Sequence, residues 1–212
     1  MSPPLPGTRF PRRIHQEDVC QALGLMPTGK YQEDGGPGIS QIITLIRRVS
    51  ADPEGDVERF LKANMFNWLI GGTDAHAKNY SFLIDAGDEV RLAPLYDMSS
   101  QLPYPDLIAQ RVAMKIGDHY HIARVTPADW QALARSCALD EAQVLGTLTE
   151  MARVLPDVVA AAHAQARTDG LSEKALGPLA DRLVAHVGER LASITALRSS
   201  GRPRRKSRPR PE

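Results

Sequence analysis

Residues 71–80 read GGTDAHAKNY, which sets Asp74, His76, Lys78 and Asn79 within one short stretch behind two glycines. A segment that only fills a core does not gather a carboxylate, an imidazole, an ammonium and an amide in this way. Phosphoryl transfer uses such a set, because its transition state asks the protein for positioning and charge compensation more than for covalent chemistry. Asp74 would receive or orient the proton of an attacking hydroxyl. Asn79 and a second carboxylate would hold Mg2+, a hard ion that prefers oxygen ligands. Lys78 would offset charge on the moving phosphoryl group. Asp97 is the candidate second carboxylate. Two plainer readings stand beside this one. Asp and Asn often make local loop turns, and Asp74 with His76 could ligate the metal of a hydrolase or nuclease. No second histidine has cluster spacing to His76. His15, His119, His121, His163 and His186 are scattered and suit surface or capping roles.

The motif needs elements to hold it. Upstream, Val57, Phe60, Leu61, Met65, Trp68 and Leu69 fall on one helical stripe, which predicts a buried helix from Asp56, capped by that residue and ended by Gly71-Gly72. Downstream, YSFLI (80–84), a Gly/Asp turn and VRLAPLYD (90–97) predict a hairpin that ends at Pro94. A hairpin returns its ends to one place, so Asp74, Asn79 and Asp97 can converge. Ile39, Ile42, Ile43 and Ile46 predict a helix over 39–50. HQEDVCQALGL (15–25) predicts a short helix. Its HQED is either a cluster that supports the site or the acids of a capped first turn. MPTGKYQEDGGPG (26–38) reads as loop, and RVAMKIGDHY (111–120) as a second small hairpin whose Lys115 faces either the site or solvent. From Thr126, an N-cap ahead of Pro127, helices are expected over 126–137, 140–155 and 157–170, then one or two more split near Gly177-Pro178.

Composition limits the alternatives. The chain has 212 residues, with 42% hydrophobic and 24% charged, as in ordinary globular proteins. Cys20 and Cys137 lack paired spacing, which points to a reducing compartment, no zinc site and two small buried side chains. No run approaches the ~18 apolar residues of a membrane span, and MSPPLPGTRFPRR lacks the apolar stretch of a secretion signal, so a cytoplasmic protein without a membrane partner is expected. Net charge is +1, yet Arg198, Arg202, Arg204, Arg205, Lys206, Arg208 and Arg210 crowd the end. The expected organisation is an extended arm over 1–12, a folded body over 13–197 and a disordered basic tail over 198–212 that either touches nucleic-acid phosphates or is simply solvated.

Asp74 and Asn79 have the Asp-to-Asn spacing of the protein-kinase catalytic loop, and Asp97 follows as the DFG aspartate does. Gly-Thr stands where His-Arg would precede Asp74, and Met98-Ser99 where Phe-Gly would follow Asp97. NWLIGGTDAHAKNYSFLI with VRLAPLYDMSS closely resembles the HipA toxin kinases. RIHQEDVCQALG (13–24), KYQEDGGPG (30–38) and AMKIGDHY (113–120) resemble them as well, so the likeness covers roughly 10–160. The resemblance implies a mainly α fold, the helical C-lobe of a kinase-like protein with one or two short β-hairpins at the catalytic site. It implies a Ser/Thr kinase using ATP and Mg2+, with Asp74 catalytic and Lys78 beside it, Asn79 and Asp97 on the metal, and His76, Lys78 and Tyr96 near the nucleotide. It also implies a helix-turn-helix antitoxin as partner, DNA met through that antitoxin, and a protein substrate such as an aminoacyl-tRNA synthetase.

Members of that family carry an N-terminal lobe with a phosphate-covering loop and an ATP-anchoring lysine. GGPG (35–38) does not replace it, since no strand precedes it and no lysine follows at a useful distance. The expectation is weak ATP binding by this lobe alone and a need for an N-lobe from elsewhere. The reading of another class is a non-catalytic lobe that binds an antitoxin or nucleic acid.

Overall fold

The computed structural model describes residues 13–104 and 110–200. The order is β1 (His15–Asp18), α1 (Val19–Ala22), α2 (Ile39–Val49), α3 (Pro53–Ile70), β2 (Ser81–Ile84), β3 (Val90–Leu92), β4 (Arg111–Ile116), β5 (His119–His121), α4 (Pro127–Ser136), α5 (Glu141–Thr168) and α6 (Glu173–Ser200). The fold is mainly helical, with antiparallel sheets β1-β2-β3 and β4-β5. Trp68 of α3 and Trp130 of α4 meet edge to face at 5.9 Å in the core, and Phe60 meets Tyr80 at 4.7 Å. Both cysteines are free and buried. Among the described residues no helix is long and apolar enough to cross a membrane.

The isoleucine helix forms as expected, with Ile39, Ile42, Ile43 and Ile46 all buried. Both hairpins form, and the central one gains a third strand. His15–Asp18, read as the start of a helix, pairs with β2 in the register His15↔Ile84 to Asp18↔Ser81. Four residues of helix follow, and Asp18 caps them by accepting the Gln21 N–H at 2.9 Å. Sequence could not separate these states, because the partner strand lies more than 60 residues away in the chain.

Three helical limits differ from expectation. Asp52, not Asp56, caps α3, with its carboxylate on the Gly55 N–H at 3.2 Å and Pro53 in the first turn. Asp56 is instead fully buried. It accepts from Ser50 Oγ at 2.6 Å, Arg91 Nε at 3.0 Å, Arg59 Nη1 at 3.1 Å and the Leu92 N–H at 2.8 Å. Burial pushes its carboxyl up, but hydrogen bonds from Arg91, Ser50 and the Leu92 N–H outweigh burial and leave it below the ordinary value. The predicted pair of helices over 140–170 is one helix, with Pro156 inside it. A proline there removes one backbone hydrogen bond, and the buried stripe Val144, Leu148, Ala152, Leu155 carries the helix to that point. The last segment is the single helix of the two alternatives, with Pro178 inside, and it continues through Ser200, past the expected start of the tail at Arg198. The arm over 1–12 and the tail from 201 lie outside the described residues.

Candidate active site

The end of α3 delivers the motif. Gly71 takes a left-handed conformation, φ 67°, and closes the helix by donating its N–H to Trp68. Gly72 must be glycine for another reason: a Cβ there would lie 3.0 Å from the Ser99 carbonyl oxygen. The chain after Asp97 therefore packs against the chain before Asp74. Ser100 Oγ donates to the Ile70 carbonyl at 2.6 Å, and the Gln101 N–H donates to Gly71 at 3.1 Å. These bonds seat Asp97 beside the loop.

Asn79 joins the set. Its Nδ2 donates to the Asp74 carbonyl at 3.2 Å and to Asp97 Oδ2 at 3.1 Å. With both amide hydrogens used, the Asn79 Oδ1 lone pairs remain for a cation. Asn79 is buried, whereas Asp74 and Asp97 are exposed. Asp97 has φ 55°, a left-handed conformation uncommon outside glycine and typical of functional sites. The exposed Asp97 carboxylate and the Asn79 amide oxygen are hard donors that would suit Mg2+, which takes few protein ligands and keeps several waters. No cluster of three or more His, Cys, Asp or Glu occurs among the described residues.

The remaining candidates surround this centre. His76 is buried and its Nδ1 has no partner among the described residues. Burial, then the charge of Lys30, push its pKa down, so the imidazole is neutral near pH 7. Lys78 ion-pairs with Asp18 at 3.2 Å. Asp18 thus serves as helix cap with Oδ1 and lysine partner with Oδ2, while His15 is exposed and Glu17 half-buried. Tyr96 donates its hydroxyl to the Lys78 carbonyl at 2.7 Å and accepts from Ser81 Oγ at 2.7 Å, with its ring partly exposed. Lys115 lies away from this centre, beside Gln32, Asp118 and Asp129, in a groove of about 440 Å³.

Sequence reasoning passed over Tyr31. Its hydroxyl donates to Asp74 Oδ1 at 2.6 Å, and its ring meets His76 edge-on at 5.2 Å. KYQEDGGPG carried the resemblance, but its turn-forming composition hid its aromatic residue, which reaches Asp74.

The fold and this site define the helical lobe of a kinase-like protein, with two small sheets flanking a loop of Asp, Asn and a returning Asp. The chain belongs to the HipA-like C-terminal domain family, whose model matches residues 6–159. It is 41% identical over 148 residues to Y4mE of Sinorhizobium fredii, a protein named as a kinase, covering 70% of this chain and 35% of that one. It is 30% identical over 166 residues to the serine/threonine-protein kinase toxin HipA of Shewanella oneidensis, covering 74% of this chain and 38% of the toxin. A chain in the solved complex of Shewanella oneidensis HipA, HipB and operator DNA superposes with a TM-score of 0.78 at 25% identity, over 92% of this chain and 48% of that one. The chain spans roughly a third to a half of the length of these relatives.

Proposed function

We propose that this lobe carries the acceptor and metal side of a serine/threonine protein kinase that uses Mg-ATP, within a toxin–antitoxin pair. One observation carries the reading: the Asn79 amide bridges the Asp74 backbone and the Asp97 carboxylate, at 3.2 and 3.1 Å. That bridge gathers what phosphoryl transfer requires on one exposed surface. Mg-ATP would supply the electrophilic γ-phosphoryl group. Asp74 receives the hydrogen bond of the acceptor's Ser or Thr hydroxyl and aims its oxygen. Asp97 and Asn79 Oδ1 hold the cation. Tyr96 fixes the loop by gripping the Lys78 carbonyl. Lys78 sits at the rim, paired with Asp18, and neutral His76 packs under the loop, so their roles are support for the loop and contact with the nucleotide.

The relative solved with HipB and operator DNA supports a helix-turn-helix antitoxin as partner, and DNA reached through it. The toxin relative supports a protein acceptor, and an aminoacyl-tRNA synthetase is the first candidate.

The test incubates the protein, purified alone and with co-expressed neighbouring gene products, with radiolabelled Mg-ATP. Transfer to protein Ser or Thr that Asp74→Asn lowers by about 100-fold or more is expected. Transfer that survives Asp74→Asn, or none in any combination, contradicts the reading. In the latter case, partner capture that survives an Asp74/Asp97 double substitution would favour a binding module.

A further inference from the structure

The loop over 30–32 touches the catalytic segment in two places. The Lys30 carbonyl accepts the Ala77 N–H at 3.2 Å, and the Tyr31 hydroxyl donates to Asp74 Oδ1 at 2.6 Å. Next to them, Gln32 Oε1 accepts the Lys115 N–H at 2.7 Å, which ties the same loop to β4. The Tyr31 ring has little freedom: His76 meets it at 5.2 Å with the planes 77° apart, and the Lys30 ammonium lies 4.9 Å from its centroid. Its carbonyl accepts the Gly36 N–H at 2.9 Å. Gly36 is pressed so close that a Cβ would lie 2.7 Å from that oxygen, so a side chain there would displace the tyrosine.

We infer that Tyr31 is a positioning residue for Asp74: its hydroxyl engages Oδ1, which orients the exposed carboxylate and presents Oδ2 to the acceptor hydroxyl. This rests on the kinase reading above. An aspartate on an exposed loop rotates about two torsions and spends much of its time off the productive geometry. A short O–H to carboxylate bond is among the stronger hydrogen bonds, and a fixed phenol holds it with little entropy left to lose. Effective alignment of this kind is worth orders of magnitude in rate, and errors of about 1 Å are costly. The bond leaves a trace on the tyrosine as well. The hydrogen bond to Asp74, then burial, push its phenol up to about 12, so it remains a donor across the working pH range.

Two measurements test the inference. In the first, 3,5-difluorotyrosine replaces Tyr31, which brings ionisation into a range where the fold survives, and ¹⁹F NMR follows the titration with and without Asp74→Asn. Loss of the neighbouring carboxylate should lower the midpoint by about one pH unit or more. A midpoint unmoved by Asp74→Asn overturns the inference. In the second, Tyr31→Phe keeps the ring on His76 and removes only the hydroxyl. kcat should fall about 10-fold or more while KM for Mg-ATP changes by less than about twofold. Unchanged kcat, or a KM and thermal midpoint that worsen together, would assign Tyr31 a packing role only and overturn the inference. If the unsubstituted protein transfers nothing, the kinase reading fails by itself, and the titration still decides whether Tyr31 holds Asp74.

Discussion

Asn79 does the most with the fewest atoms. One amide nitrogen joins the loop that carries Asp74 to the residue that follows the hairpin. Asn79→Asp preserves shape and swaps that donor for a carboxylate facing two acceptors. Stability should drop by about 1–3 kcal/mol, and Mg2+ should recover part of it by offsetting the new repulsion. Urea unfolding in EDTA and then in Mg2+ measures both, and an unchanged midpoint in EDTA would show that the bridge is not formed. The spacing of Asp74 and Asn79 was legible in sequence, because one loop sets it. The Tyr31 contact was not, since it joins residues 43 apart and no local pattern marks a side chain that reaches across a turn-rich loop.

Among the elements, the tie between α3 and the central sheet positions the site. Asp56 near the start of α3 accepts from Arg91 and from the Leu92 N–H of β3, while Arg59 donates to the Leu92 and Ala93 carbonyls at 3.1 and 3.3 Å. The strand leading to Asp97 is thus bolted to the helix that ends at the loop of Asp74 and Asn79. Asp56→Ala strands the Leu92 N–H and Ser50 hydroxyl and leaves two half-exposed arginines without their carboxylate, which should cost about 1–3 kcal/mol. Chemical denaturation measures it, and a loss under about 1 kcal/mol would demote the network to surface decoration. Hydrophobic period located α2 and the leading stripe of α3, and turn residues between short apolar runs located both hairpins. It failed at β1, where strand state depends on a distant partner. It also failed at Pro156, where packing along the helix outweighs the local breaker signal.

At the scale of the whole molecule, the buried His76 and the half-buried His186 make stability depend on pH. Burial, with Lys30 beside His76 and Arg190 beside His186, depresses both pKa values. His186 Nε2 also donates to the Trp68 carbonyl, 3.3 Å away, at the end of α3. The unfolded chain protonates these groups at about 6.5, the folded chain only at lower pH. Their contribution is therefore complete above about 6.5 and is lost as pH falls through the folded values. The thermal midpoint should decline between pH 7 and 5, and His186→Gln should flatten that decline. A midpoint that holds steady over this range would contradict the assignment.

Local chemistry in the sequence determined the candidate set and its helical frame: the Asp-to-Asn spacing, the glycines that end α3, and the hairpin that brings Asp97 back. These are short-range facts, settled by backbone geometry and periodicity. Tertiary structure alone decided what holds that set in place. Tyr31 on Asp74, Asp18 on Lys78 and Asp56 beneath β3 are contacts between distant segments, formed because burial of the core brings those segments together and polar groups near it take the partners within reach.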